Sequence, residues 1–381
     1  MKIAGFETFL VEPRWLFLRV DTDEGVSGWG EPIVEGRAET VAACVSTLME
    51  GLVGADAGRI EDHWQVMSKG GFYRGGPVLS SAVAGIDQAL WDIKGKALGV
   101  PVYELLGGPV RDRVRIYTWV GGESAAELAA DGLAKKAAGF TAMKFTPFGP
   151  TAHVPSAAET GEIVARVAAL REAVGPEVDL AIDCHGRFSP AAARRVLPLL
   201  EEYLPLFAEE PVLPEFSRDL GRVASSTTIP IATGERLFSR WDFRDVLSTG
   251  LAVAQPDLSH AGGISEVRRI AAMAEAYGVA LAPHCPLGPI ALAASVQVDA
   301  ASPNFLIQEQ SLGIGYHDGT ELLDYLVDRS VFTMTAGHIA RPEAPGLGIE
   351  IDEKQVRLAA QRGHRWRNQV WRHQDGSFAE W

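Results

Sequence analysis

The sequence is poor in cysteine, lacks a long apolar run, and carries no cluster of basic residues. Its three cysteines, Cys44, Cys184 and Cys285, do not have the spacing of a metal site and fit a reducing compartment. An acid within the first seven residues, with no long apolar stretch, predicts that there is no signal peptide or membrane anchor. The net charge of −14 argues against a nucleic-acid or anionic-membrane surface. We therefore expect a soluble, cytoplasmic protein with no nucleic-acid or membrane partner.

The length of the chain favours two domains, because 381 residues exceed what one hydrophobic core usually holds. Within residues 1–115, the apolar pattern predicts strands at 3–11, 16–20 and 25–30. Helical segments follow, and the clearest is 79–98, where apolar residues form a stripe at helical spacing. Strands followed by helices are typical of an α+β domain.

A different rhythm begins near residue 116, where a strand and a helix alternate roughly every 25 residues. The candidate strands are 116–120, 141–145, 178–183, 204–209, 229–235, 251–257, 279–284 and 305–309. This alternation predicts a (β/α) barrel over residues 116–325. In such barrels the chemistry lies at the carboxyl ends of the strands.

The last segment, residues 326–381, is less regular and holds one candidate strand at 345–352. Its tryptophans are Trp366, Trp371 and Trp381. Because exposed tryptophans are unfavourable in water, we expect this segment to pack back on the rest of the chain or on a partner subunit.

Three acidic residues, Asp183, Glu209 and Glu235, recur 26 residues apart, each at the end of a candidate strand. In a parallel barrel the ends of successive strands lie side by side, so the three carboxylates would converge. Converging carboxylates repel one another unless a positive charge lies among them, and hard oxygen ligands suit Mg²⁺. The spacing therefore predicts a divalent metal site. Glu210, next to Glu209, would point to the other side of the strand and is the weaker candidate.

Ionisable residues end every candidate strand from the second onward: Lys144, Asp183 with His185, Glu209, Glu235, Asp257, His284 and Glu309. A single one of them is more often a cap, a turn residue or a hydrogen-bonded core residue. Together they have no stability rationale, because burying so many charges costs more than it returns. We therefore interpret the set as a functional site.

The residue types suggest roles in proton transfer. Asp257 and His284 end adjacent strands and could form a carboxylate–imidazole dyad, with His284 as the proton acceptor. His185 lies two residues after Asp183 and would face the same cavity if the segment is extended. Glu309 could hydrogen-bond a substrate oxygen on which charge develops. One metal and two histidines suit abstraction of a proton α to a carboxylate, with His185 free to protonate a departing β-hydroxyl.

Several sequence segments resemble the enolase superfamily, and within it the mandelate racemase-like subgroup. These segments are 89–96 (ALWDIKGK), 101–108 (PVYELLGG), 209–212 (EEPV), 234–236 (GER) and 255–257 (QPD). The resemblance covers the whole chain. It implies a modified TIM barrel, (β/α)7β, with an amino-terminal α+β capping domain that the carboxy-terminal segment completes.

Further segments resemble the galactonate dehydratases of that subgroup, namely 13–15, 71–76, 257–264, 282–293, 308–311 and the tryptophan-containing tail. The resemblance implies one Mg²⁺ per subunit, held by Asp183, Glu209 and Glu235. It implies that His284 with Asp257 removes the C2 proton, that His185 assists loss of the C3 hydroxyl, and that Glu309 stabilises the intermediate. The product would be 2-dehydro-3-deoxy-D-galactonate.

The same resemblance implies substrate contacts by Arg14, Trp15 and Tyr73, with Lys144 at the second strand end as a fourth candidate. For Arg14, Trp15 and the 71–76 loop, a role in packing or in a turn is equally compatible with the sequence. A homo-oligomer built from dimers, up to an octamer, is also implied.

Two features depart from the family patterns. Racemase-type relatives carry Lys-x-Lys at the second strand end, and Thr146 replaces the second lysine here, which weakens a racemase or cycloisomerase function. The segment 147–162 differs from the galactonate dehydratase pattern, so the sequence leaves open another aldonic acid as the substrate. It also leaves open a racemase or epimerase that uses His185, and a catalytically silent binding protein.

Overall fold

The computed structural model of the protein describes residues 1–312 and 321–380. The amino-terminal elements are β1 (Ile3–Val11), β2 (Trp15–Thr22), β3 (Ser27–Gly30), α1 (Ala38–Glu50), α2 (Ile60–Lys69), α3 (Pro77–Leu98) and α4 (Val102–Leu105). The first three form an antiparallel sheet in the order β1-β2-β3, in which Phe9 pairs with Phe17. This arrangement agrees with the α+β domain expected from the sequence.

Helix α3 packs very closely on β3, and glycine makes the close approach possible. A Cβ atom built on Gly30 would lie 1.9 Å from the carbonyl oxygen of Gly85 in α3. A Cβ atom on Gly28 would lie 2.1 Å from the carbonyl oxygen of Ala89. Any side chain at these positions would push the helix off the sheet. With α1 and α2 also packed against it, α3 is almost completely buried from Ser81 to Gly95.

After β4 (Arg113–Arg115), strands and helices alternate, as the sequence predicts. They are β5 (Thr118–Trp119), α5 (Ala125–Ala137), β6 (Ala142–Phe145), α6 (Ala157–Val174), β7 (Asp179–Asp183), α7 (Pro190–Val196), β8 (Phe207–Glu209), α8 (Leu220–Ala224), β9 (Ile231–Thr233), α9 (Arg240–Leu247), β10 (Val253–Ala254), α10 (Gly263–Ala276), β11 (Ala280–Leu281) and α11 (Pro289–Ala301). Short 3-10 helices span Leu197–Tyr203, Pro214–Asp219 and Leu322–Tyr325.

Strands β5 to β11 form one parallel sheet in chain order, and a short extended segment joins its two edges. Phe305 bridges Leu281 of β11, and Gln308 bridges Ile116 just before β5. Eight side chains fill the interior, one from each of the seven strands or a residue next to it and one from the joining segment. They are Tyr117, Ala142, Ala181, Phe207, Ala232, Val253, Ala282 and Ile307. The sheet therefore curls into a barrel with a packed interior, as the (β/α)7β prediction requires.

Several predicted strands are longer than those observed. The segments 251–257 and 279–284 contain only the two-residue strands β10 and β11, and 305–309 contributes isolated bridges instead of a strand. The prediction of a strand at 345–352 is wrong. There, the N–H of Leu347 donates to Asp92 and its carbonyl accepts from Gln297, so side chains satisfy the backbone that a neighbouring strand would otherwise pair.

The carboxy-terminal elements are β12 (Met334–Thr335), β13 (His338–Ala340), α12 (Glu353–Arg362), β14 (Trp371–Arg372) and β15 (Phe378–Ala379). Strand β13 pairs with β4, and Arg357 of α12 forms an ion pair of 2.8 Å with Glu7 of β1. The domain boundaries at 115 and 325 stay predictions.

The tryptophans of the tail lie against arginines of the main body. Trp366 lies under the guanidinium of Arg14 at 5.1 Å, and Trp371 lies 4.6 Å from the guanidinium of Arg187. Trp381 lies outside the described residues. Across residues 1–312 and 321–380, no helix combines the length and apolar character needed to cross a membrane.

Candidate active site

The three predicted metal ligands come together at the carboxyl ends of β7, β8 and β9. Asp183 and Glu209 are paired positions of the β7–β8 ladder, so regular strand register alone makes them neighbours. Glu235 lies two residues beyond β9, not at its end as the sequence suggested. One ligand oxygen from each carboxylate lies within 4.8 Å of the other two. The three side chains therefore converge as the spacing predicts.

Gly234 allows the chain to turn between β9 and Glu235. Its φ of +149° suits glycine, and a Cβ atom there would lie 2.7 Å from the ring of Phe243 and 2.8 Å from the carbonyl carbon of Gln255. The turn therefore depends on the missing side chain. A one-dimensional strand pattern carries no sign of it.

Lys144, at the end of β6, contacts three carboxylates. Its Nζ lies 2.8 Å from Glu209, 3.0 Å from Glu309 and 3.3 Å from Asp183, and the side chain is completely buried. Burial disfavours the ammonium, but the adjacent carboxylates outweigh it and raise the pKa of Lys144 well above its usual value. The ammonium form of Lys144 is therefore favoured, and its positive charge lies on one side of the cluster.

The single positive charge of Lys144 does not neutralise this cluster of carboxylates. Burial and neighbouring carboxylates raise the pKa values of Glu209 and Glu235 well above the usual range. Asp183 Oδ2 has a histidine nitrogen at 3.2 Å and Glu235 Oε2 has one at 3.5 Å, but among the described residues neither oxygen accepts a hydrogen bond of regular geometry. Three converging carboxylates of this kind fit a hard divalent cation such as Mg²⁺.

His185 reaches the cluster from a strained backbone position. Its φ of +47° lies in the left-handed region, so the extended geometry assumed from the sequence is wrong. Its Nε2 nevertheless lies 3.2 Å from Asp183 Oδ2, and its ring stacks on Trp119 at 6.0 Å. Its backbone N–H donates to Asp183 Oδ1 at 3.0 Å. Non-glycine residues in this conformation cluster at functional sites, where the surroundings hold them in place.

The predicted dyad is present in the structure. His284 Nδ1 lies 2.7 Å from Asp257 Oδ2, while Asp257 Oδ1 accepts backbone N–H groups of Ser259 and His260. His284 Nε2 lies 3.5 Å from Glu235. Burial lowers the basicity of His284, but the charge of Glu309 and the hydrogen bond to Asp257 outweigh it and raise its pKa to about 9. Positive charge at the carboxylate cluster would lower that value.

Glu309 is held from several directions. Oε1 accepts the indole N–H of Trp119 at 2.8 Å and lies 3.0 Å from Lys144, and Oε2 accepts the backbone N–H of Cys285 at 3.0 Å. Burial raises its pKa, but the charges of Lys144 and His284 outweigh burial and lower it. An ionised carboxylate accepts hydrogen bonds and cannot donate one to an oxyanion. Its predicted stabilisation of an intermediate stays a prediction.

The other three candidate substrate contacts, Arg14, Trp15 and Tyr73, differ from one another in burial and in their neighbours. Arg14 is buried, and its Nη2 donates to the carbonyl of Pro286, two residues after His284. Trp15 is 1% exposed and packs against Phe17 and Tyr325 in the core. Tyr73 is 88% exposed. The structure thus brings Arg14 near the dyad but places Trp15 in the core and Tyr73 on the surface, and all these contacts stay predictions.

Sequence reasoning missed Trp119, which binds Glu309 and stacks on His185. It ends β5, so including the first strand in the survey of strand ends would have found it. Glu210, the weaker ligand candidate, binds Arg236. Its φ of +39° means that it does not continue the extended strand assumed from the sequence.

The segment 147–162 lies next to the His185 loop. The carbonyl of Phe148 accepts a hydrogen bond of 2.8 Å from Arg187, and the ring of Phe148 contacts Phe188. Residues 157–162 of this segment form the start of α6, which Ser156 caps. The part that departs from the galactonate dehydratase pattern is therefore connected to the loop that carries a candidate acid.

Comparisons with known proteins cover the chain from end to end. The family model described as Enolase C-terminal domain-like matches residues 125–355, and the Mandelate racemase / muconate lactonizing enzyme, N-terminal domain model matches 7–107. D-galactonate dehydratases from Ralstonia nicotianae and Variovorax paradoxus are 55% and 54% identical over 382 residues, and the match covers all of both chains.

A solved structure supports the same assignment. An enolase from Agrobacterium radiobacter, a candidate galactarate dehydratase with bound Na and L-malate, is 36% identical with a TM-score of 0.92. The match covers 100% of both chains. The chain therefore belongs to the mandelate racemase and muconate lactonizing enzyme family of the enolase superfamily.

Proposed function

We propose that the protein is a Mg²⁺-dependent acid-sugar dehydratase whose preferred substrate is D-galactonate. The observation that carries the proposal is that two imidazoles lie beside different members of one carboxylate cluster. His185 Nε2 is 3.2 Å from Asp183, and His284 Nε2 is 3.5 Å from Glu235. The identity of 54–55% to D-galactonate dehydratases supports the choice of substrate.

In the proposed reaction, His284 removes the C2 proton of the acid sugar. Its Nδ1 is hydrogen-bonded to Asp257, which leaves Nε2 to accept the proton. His185 protonates the C3 hydroxyl, the C3–O bond breaks, and water leaves. The resulting enol takes up a proton at C3 and gives 2-dehydro-3-deoxy-D-galactonate. The substrate therefore loses one water and changes no oxidation state overall.

Asp183, Glu209 and Glu235 would hold the Mg²⁺, one ion in each subunit. When bound, the ion supplies Lewis-acid stabilisation of negative charge on the substrate carboxylate. Lys144 holds a positive charge between Glu209 and Glu309, which keeps those carboxylates in place. Trp119 orients both sides of the site, because it stacks on His185 and donates to Glu309.

An assay of the purified protein tests the reaction. With Mg²⁺ and D-galactonate we expect a 2-keto-3-deoxy acid to accumulate, measured as its semicarbazone. A panel of aldonic acids that differ at C4 and C5 tests the substrate, since the 147–162 segment adjoins the His185 loop. Turnover of another aldonic acid, with none of D-galactonate, would reject the substrate and keep the reaction class.

A racemase or epimerase would give a different result. It would exchange the C2 hydrogen for deuterium from solvent without forming a keto acid. Thr146 in place of the second lysine of the racemase pattern argues against it. The cytoplasmic location and the homo-oligomer also stay proposals, and sedimentation analysis would test the latter.

A further inference from the structure

One oxygen of Asp257 lies close to two histidines. Asp257 Oδ2 is 2.7 Å from His284 Nδ1 and 3.7 Å from His260 Nε2. The rings of His260 and His284 are 6.3 Å apart. Two backbone N–H groups hold Oδ1, so Oδ2 is the oxygen that faces both imidazoles. His284 lies on one side of Oδ2 and His260 on the other. The position of Oδ2, and with it the orientation of the His284 ring, therefore depends on His260.

The amino-terminal domain holds His260 in place. Its Nε2 lies 3.5 Å from Glu35 Oε2, and its Nδ1 is 3.2 Å from the hydroxyl of Ser81 in α3. Glu35 in turn lies 3.7 Å from Arg14. His260 comes from the loop after β10, so these contacts join the two parts of the chain at the dyad.

The charges of His260, Glu35 and Asp257 favour the contacts among these three side chains. Burial opposes the imidazolium form of His260, but Asp257 and Glu35 outweigh it and raise its pKa. Burial also opposes ionisation of Glu35, and the hydrogen bond with His260 and the charge of Arg14 lower its pKa. A cationic His260 between two carboxylates attracts both and restrains Asp257 Oδ2.

We propose that His260 is a positioning residue for the proton-abstracting dyad, held by Glu35 and Ser81 so that Asp257 orients His284. The inference rests on the proposed dehydratase function and adds a second histidine to it. It also makes the orientation of His284 depend on how the amino-terminal domain packs on the barrel, since Glu35 and Ser81 both come from that domain. A misplacement of about 1 Å at a reacting group can cost up to roughly a hundredfold in rate.

The variants Glu35→Gln and His260→Asn test this role, and Glu39→Gln is the matched control. Glu39 is another carboxylate of the same domain, and it pairs with Arg367 at 2.9 Å. With D-galactonate and its C2-deuterated form, we expect kcat to fall roughly tenfold in both test variants. We expect KM within about twofold, and a larger primary deuterium isotope effect because proton abstraction becomes slower. The control should match the unmodified protein.

A tenfold rise in KM with unchanged kcat and isotope effect would overturn the proposal, because it would make the group a substrate contact. Unchanged kinetics in both variants would overturn it as well. If His260→Asn does not fold, Glu35→Gln carries the test, since Glu35 is 19% exposed.

A second readout does not need activity and separates this inference from the proposed function. If the unmodified protein forms no keto acid from D-galactonate, the proposed function fails. In ¹⁵N-histidine spectra of the protein, we expect the Nδ1 proton resonance of His284 to move in Glu35→Gln and His260→Asn but not in Glu39→Gln. An unmoved resonance in both test variants would overturn the positioning role.

Discussion

The two walls of the site are built in different ways. In the first wall, Asp183 and Glu209 end regular strands and are neighbours in a continuous parallel ladder, and Glu235 follows β9 after the turn at Gly234. Asp257, His284 and Glu309 lie beyond two-residue strands or in a segment joined only by bridges. There, hydrogen bonds from Ser259, His260 and Cys285 hold the side chains.

The difference shows what each wall requires. Metal ligands need convergence of charge, which strand register supplies for Asp183 and Glu209 and the Gly234 turn supplies for Glu235. A base needs one orientation of a ring, which requires a chain of hydrogen bonds around it. We therefore expect substitutions in the first wall to lower the affinity for Mg²⁺, and substitutions in the second wall to lower kcat.

The largest effect is expected for His284→Asn in the second wall. Removing the base should reduce kcat by about 10³-fold or more, with Mg²⁺ affinity nearly unchanged. Steady-state kinetics and calorimetric Mg²⁺ titration measure the two quantities. His338→Asn is the control, because His338 lies in β13 and its ring contacts the carbonyl of Ala336. A large loss of Mg²⁺ affinity in His284→Asn would contradict the division between the walls.

The next effect concerns Glu235→Gln in the first wall. We expect Mg²⁺ affinity to fall by at least about tenfold, since one charged ligand is lost. Without Mg²⁺, the free energy of unfolding should rise by about 1 kcal/mol, because burial and neighbouring carboxylates disfavour the ionised Glu235. Thermal unfolding with and without Mg²⁺ measures both, with the exposed Glu215→Gln as control. Lower stability without metal would show that this carboxylate is not repelled.

A smaller effect is expected for Trp119→Phe, which lies between the walls. The change keeps a ring beside His185 but removes the indole N–H that Glu309 accepts. We expect kcat to fall by roughly tenfold, the cost of one hydrogen bond to a charged group. Trp241→Phe, at a 45% exposed tryptophan, is the control. An equal loss in both variants would point to general destabilisation.

The smallest effect on catalysis is expected for Glu210→Gln. Glu210 adjoins a metal ligand in sequence but binds Arg236. We expect a loss of about 1–2 kcal/mol in the free energy of unfolding, from the weakened buried pair, and Mg²⁺ affinity within about threefold. Chemical denaturation and calorimetry test this. A Mg²⁺ affinity as low as in Glu235→Gln would place Glu210 among the ligands.

Regular features of the fold were predictable from local pattern. The bounds of β1 match the predicted strand, and the predicted helix 79–98 lies within α3 and ends at the same residue. Prediction failed at 345–352, where Asp92 and Gln297 satisfy the backbone of Leu347. Those partners are 255 and 50 positions away, so a local pattern contains no sign of them.

The sequence by itself determined the barrel, the neighbouring positions of Asp183 and Glu209, and the presence of two histidines near them, because these follow from periodicity and strand register. Glu235 joins them as predicted, but its approach depends on the Gly234 turn. Only the tertiary structure decided how the site is oriented. It placed His185 in a left-handed conformation, put Trp119 between His185 and Glu309, and set His260 beside Asp257. The physical reason is that orientation depends on hydrogen bonds and ion pairs between residues distant in the chain, which periodicity does not encode.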